Sequence, residues 1–130
     1  MALTADKKTE WMEGRDIVFK GYISDKIYAG SLVGVDLMGG VPRFRPAGDL
    51  SGQTVVGVAL ESKEVNGGSI LVRTTGIVKL KLQGTPDIPG VDLYVVDDET
   101  VSVESTTNNV VAGKLAKMDD DPNYVWVRIG

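Results

Sequence analysis

Residues 76–82 read Gly76-Ile77-Val78-Lys79-Leu80-Lys81-Leu82. From Val78 onward, apolar residues and lysines alternate. Successive side chains of a strand point to opposite faces, so the stretch predicts a half-buried strand. Val78, Leu80 and Leu82 face a core, and Lys79 and Lys81 face water. Gly76 marks a bulge at its start. Asn66-Gly67-Gly68 upstream is turn chemistry, preceding a separate strand over residues 70–74. Downstream, residues 84–90 hold Pro86 and Pro89 between two glycines and read as a loop.

The same reading extends in both directions. Strands are expected over residues 16–23, 31–36, 41–46, 54–60, 91–96, 100–104, 110–115 and 124–129. Pro42 and Pro46 lack ladder donors, which makes 41–46 an edge strand. Gly39 and Gly40 supply a turn before it. Val, which packs well on a pleated surface, occurs 19 times, and Ala, the best helix former, 7 times. No segment holds a helical period over ten residues. The expected fold is all-β: a compact small barrel or sandwich of about nine or ten short strands, with residues 15–130 as one domain and residues 1–14 as a flexible, extended N-terminal arm.

Two stretches match each other. Val55-Val56-Gly57-Val58-Ala59-Leu60 lines up with Val110-Val111-Ala112-Gly113-Lys114-Leu115. Each leads through a polar turn to a Val-Arg pair, Val72-Arg73 and Val127-Arg128, at the same separation. Upstream, residues 32–36 match residues 93–97. The spacing points to two duplicated β-units that bury their faces together.

Composition removes most chemistry. The chain has no Cys and no His. That excludes disulfides, thiolate metal sites, a cysteine nucleophile and the Ser-His-Asp triad. No GxxxxGK-[ST] loop occurs, so a P-loop nucleotide site is not expected. The acidic runs Asp97-Asp98-Glu99 and Asp119-Asp120-Asp121 lack cation-loop spacing and read as solvated turns. An enzyme would have to draw two carboxylates from these runs, and no local context singles out a pair. No catalytic residue, metal or cofactor is expected. A net charge of −4 opposes a nucleic-acid partner. No 18-residue apolar run is present, and residues 1–14 do not resemble a secretory signal, so no membrane partner is expected.

What remains are contact residues. In the arm, Trp11 and Met12 are apolar anchors, with Lys7 and Lys8 beside them and Gly14 as the hinge into the body. Arg43 and Arg45 flank Phe44 on one strand, so the arginines share a face and Phe44 enters the core. Trp126 alternates with Val125 and Val127. With the valines inside, it stands outside as an interface aromatic; with Trp126 inside, the valines stand outside. Either case leaves apolar surface on this strand and points to oligomerisation.

The succession of the L-V-G-V segment, T-V-V-G-V-A-L, I-L-V-R-T-T-G-I-V, V-D-L-Y-V-V-D, V-V-A-G-K-L and Y-V-W-V-R-I resembles the tailed-phage capsid decoration, or cement, protein family. Some members of that family carry a recombinase label, which nothing in this sequence supports. The resemblance covers residues 16–130. It implies a β-rich homotrimer at local threefold positions on the outer surface of the expanded head, made in the host cytoplasm. Its partners would be the major capsid protein and itself. Its role would be to stabilise the shell against internal DNA pressure, without catalysis or a small-molecule substrate. The alternative reading is a β-barrel ligand- or glycan-binding module of a phage structural component.

Overall fold

The computed structural model describes residues 11–85 and 87–130, with side chains from residue 15 onward. It holds ten strands and, among the described residues, no helix: β1 (Trp11–Lys20), β2 (Tyr22–Ile23), β3 (Leu32–Met38), β4 (Val41–Pro46), β5 (Thr54–Ala59), β6 (Ser69–Gln83), β7 (Asp92–Val95), β8 (Thr100–Ser102), β9 (Val111–Met118) and β10 (Tyr124–Ile129). The all-β expectation holds, and the choice between barrel and sandwich is settled as barrel.

The second half of β6 pairs antiparallel with β10 and parallel with β8, and β10, β9, β7 and β8 complete a closed five-stranded ring. The first half of β6 pairs antiparallel with β1 and β5. β5 leads to β3 and β4, and β4 pairs in parallel with β2, which continues β1 across Gly21. The chain therefore traces one circuit twice, each with four antiparallel pairings and one parallel pairing. Unit one comprises β1 to the first half of β6, and unit two the second half of β6 to β10.

The registers repeat in detail. Leu32 and Val33 face Val58 and Gly57. The ladder then skips Val56, and Gly34 faces Val55. In unit two, Asp92 and Leu93 face Lys114 and Gly113. The ladder skips Ala112, and Tyr94 faces Val111. Both units thus carry a bulge one residue before a glycine. Those glycines press on the neighbouring strand: a Cβ on Gly57 would stand 2.1 Å from the Arg73 carbonyl oxygen, and one on Gly113 2.2 Å from that of Arg128. The duplicated units expected from sequence are seen, with two corrections. Val33 is equivalent to Leu93, where the sequence match paired Leu32 with it. Gly57 is equivalent to Gly113, where the constant sequence spacing matched it to Ala112.

Two apolar clusters fill the rings. Ile23, Ile27, Val33, Phe44, Ala59, Ile70 and Val72 form one. Val78, Leu80, Leu82, Leu93, Val95 and Val101 belong to the other, together with Leu32 and Val58 of unit one. Val78, Leu80 and Leu82 are buried as predicted, and Phe44 enters the core.

Three expectations need correction. Residues 70–74 and 77–82 form one 15-residue strand, β6, which runs through Gly76 without ending. The first strand breaks at Gly21, where the chain lies so close to β4 that a Cβ would stand 2.5 Å from the Phe44 ring and 2.9 Å from the Pro42 carbonyl oxygen. Asp97-Asp98-Glu99 is not a solvated tip. Asp98 is 1% and Glu99 5% exposed. Ser31 Oγ donates to Asp98 Oδ2 at 2.8 Å, and Lys81 pairs with Glu99.

Candidate functional site

β4 places Arg43 and Arg45 on one face, with Asp36 of β3 opposite Arg43 in register. Arg43 Nε and Nη2 donate to the two Asp36 oxygens at 2.8 Å each, and Arg45 Nη2 donates to Oδ2 at 3.0 Å. The Arg43 hydrogen bonds, with both guanidinium charges, hold the Asp36 carboxyl below the ordinary range against the opposing effect of burial. The arginines expected to face a partner are therefore bound within the hairpin. Their bidentate clamp braces the strands where the turn leaves the sheet.

Beyond this clamp the hairpin carries Leu37-Met38-Gly39-Gly40-Val41 into solvent. Leu37 is 72%, Met38 46% and Val41 51% exposed. Gly39 and Gly40 both adopt positive φ, which lets the turn close in two residues. Sequence reasoning read Gly39-Gly40 as a turn and missed its apolar flanks. Apolar residues directly beside a glycine turn are the signal, since turn-flanking positions reach furthest from a core.

Trp126 lies on the outward side of β10, between buried Val125 and Val127. Its indole N–H donates to Asp119 Oδ1 at 3.1 Å, and Lys117 Nζ stands 5.6 Å from its ring centre. Lys79 pairs with Asp119 at 3.5 Å and stands 5.0 Å from the Tyr124 ring centre. Trp126 is thus half-buried in a cross-strand array, whose cations gain from the ring faces. Burial pushes the Asp119 carboxyl up, and the Asp121 N–H and Trp126 indole outweigh it, so the group titrates low. Asp120 and Asp121 are solvent-facing.

Arg43/Arg45 and Trp126 are not brought together: β4 and β10 are not neighbours in the sheet. Lys7 and Lys8 lie outside the described residues. β1 begins at Trp11, which pairs with Val78, and Gly14 pairs with Gly76. The backbone of residues 11–14, Met12 included, is therefore strand. Further along β1, Ile17 is 42% and Val18 58% exposed.

A cleft of about 320 Å³ opens among Val55, Asp92, Val111, Gly113, Lys114 and Arg128. Lys114 Nζ and Asp92 Oδ1 pair across it at 2.9 Å. Among the described residues, no three acidic side chains converge as a metal site would require, and no helix is long and apolar enough to cross a membrane.

No protein-family model matches this chain, and no curated protein and no solved structure matches it either.

Proposed function

We propose that this protein is a non-enzymatic decoration protein of a phage capsid. It binds the outer surface of the expanded head as a homotrimer and adds buried interface across capsomer boundaries. The observation that supports this most is what the molecule offers to a partner. Its rings are filled by valine, leucine and isoleucine. Three of its exposed apolar residues, Leu37, Met38 and Val41, stand together on a clamped hairpin. A packed barrel with exposed apolar residues is suited to macromolecular contact more than to enclosing a small ligand. The sequence resemblance supplies the kind of partner, the major capsid protein. Three copies of a weak contact raise avidity by about a hundredfold or more over one. The arm would add to that contact with Lys7 and Lys8 as its charged part, while Trp11 and Met12, expected as its anchors, have their backbone in β1 at its root.

The test is sedimentation with undecorated, expanded shells of the encoding virus, counting bound copies. Saturation near three copies per local threefold site is the expected result. Failure to co-sediment with intact expanded shells overturns the reading. A chain lacking residues 1–10, truncated just before β1, should keep its fold and bind the shell more weakly.

A further inference from the structure

We propose that copies of this chain associate head to tail, the β3–β4 hairpin of one copy seating on the β7–β9 face of the next. The contact would repeat the one that joins the two units inside a single chain. This deepens the self-association in the proposal above and does not depend on what shell is bound.

Within the chain, unit one turns the outward residues Leu32, Val55 and Val58 toward the core cluster of unit two. The hairpin tip of unit two meets the start of β3. Leu32 N–H donates to the Asp98 carbonyl at 2.8 Å, and Ser31 Oγ donates to the Asp98 carboxylate at 2.8 Å. The shared registers give each half of this contact a counterpart elsewhere in the molecule.

The counterpart of the unit-one surface is the β7–β9 face. Asp92 and Lys114 stand where Leu32 and Val58 do, and Val111 stands where Val55 does. Val111 is 45% exposed among the described residues and borders the cleft of about 320 Å³. The counterpart of the receiving tip is the β3–β4 hairpin. Met38 follows Val35 by the same three residues that separate Asp98 from Val95, and Val35 and Val95 face Phe44 and Val101 across their hairpins. This tip is exposed, whereas Asp98 is buried.

One chain thus carries both halves of a single interface on different units, each exposed among the described residues. Two unlike surfaces that fit each other make a heterologous contact, which closes into a ring or continues as a filament. The ion pair keeps the β7–β9 face soluble in a free chain, as polar outer faces do in terminal repeats. Because Asp92 and Lys114 neutralise each other, they present no net charge to an arriving apolar hairpin.

The natural chain has no cysteine, so introduced thiols are the only ones present. Met38→Cys and Asp92→Cys are made in separate chains and oxidised alone and mixed. A disulfide-linked dimer in the mixture, with neither chain linking alone, is expected. Equal linkage within either single variant indicates a like-to-like contact and overturns the proposal. Absence of linkage in the mixture also overturns it, whichever segment covers the hairpin instead. Leu37→Asp with Val41→Asp, at exposed positions that spare the core, should shift the sedimentation coefficient of the unlinked protein to that of a monomer. An unchanged coefficient overturns the proposal. Shell binding of that double variant is scored separately. A monomer that still decorates shells would sink head-to-tail association and leave the decoration role standing.

Discussion

Asp36 takes hydrogen bonds from two arginines of the facing strand, and its side chain is only 10% exposed. With Arg43 as the main cause, its carboxyl titrates below the ordinary range. A carboxyl whose folded value is lowered contributes stability that is fully present above its unfolded value and is lost as pH falls through the folded one. Asp36→Asn keeps the shape and removes the charge. The denaturation midpoints of the two proteins should therefore differ at neutral pH and converge below the carboxylate range. A difference that persists unchanged into acid would sink this account. At this scale the sequence showed the arginines and their common face. It did not show that Asp36, seven and nine residues upstream, takes both of them. That pairing depends on hairpin register, which charge patterning alone does not specify.

At the scale of the element, alternation and turn glycines placed the strands well, since both are local signals. The bounds of Val41–Pro46 were read to the residue, but not its place: expected at an edge because of its prolines, β4 pairs with β3 on one side and with the two-residue β2 on the other. Where the reading slipped, the cause lay further along the chain. The acidic tip at Asp98 looked solvated because Ser31, its partner, stands 67 residues away. The duplicated unit was aligned one residue out at its glycine strand, because residue counts do not reveal a bulge. Gly57 and Gly113 carry the test of that equivalence. An added methyl would meet a carbonyl oxygen of the next strand in both units. Gly57→Ala and Gly113→Ala should each cost about 1–3 kcal/mol or more, as overpacking typically does. Denaturant titration measures both. Tolerance of alanine at either position would undo the claim that the strands need that approach.

At the scale of the whole molecule, the units are tied by more than their cores. Asp49, between β4 and β5, accepts the Thr107 and Asn108 N–H groups at 3.0 and 2.8 Å, and Asn108 Nδ2 returns a bond to the Asp49 carbonyl at 2.8 Å. The Asn108 and Thr107 amides hold the Asp49 carboxyl low. Asp49→Ala should loosen the 104–110 loop while leaving both rings folded. Amide hydrogen exchange in that loop should quicken with the core amides unchanged. No change at Thr107 and Asn108 would show that the loop is held by other means. None of this was legible in the sequence, because nothing in either segment names a partner about 58 residues away. The candidate partner surface was half legible. Of the contact residues expected from sequence, Arg43, Arg45 and Trp126 are engaged within the fold, while the exposed apolar hairpin was noted only as a turn.

The 15 residues of β6 serve as a wall of both rings. Two domains joined by a linker can swing, because the linker absorbs a change of angle within a few residues. Here the join is a strand laddered along its length, with β1 and β5 along one half and β8 and β10 along the other. Changing the angle between the rings would mean bending a paired strand and stretching its hydrogen bonds. A pull on one ring therefore reaches the other without slack, as it does through a girder and not through a hinge.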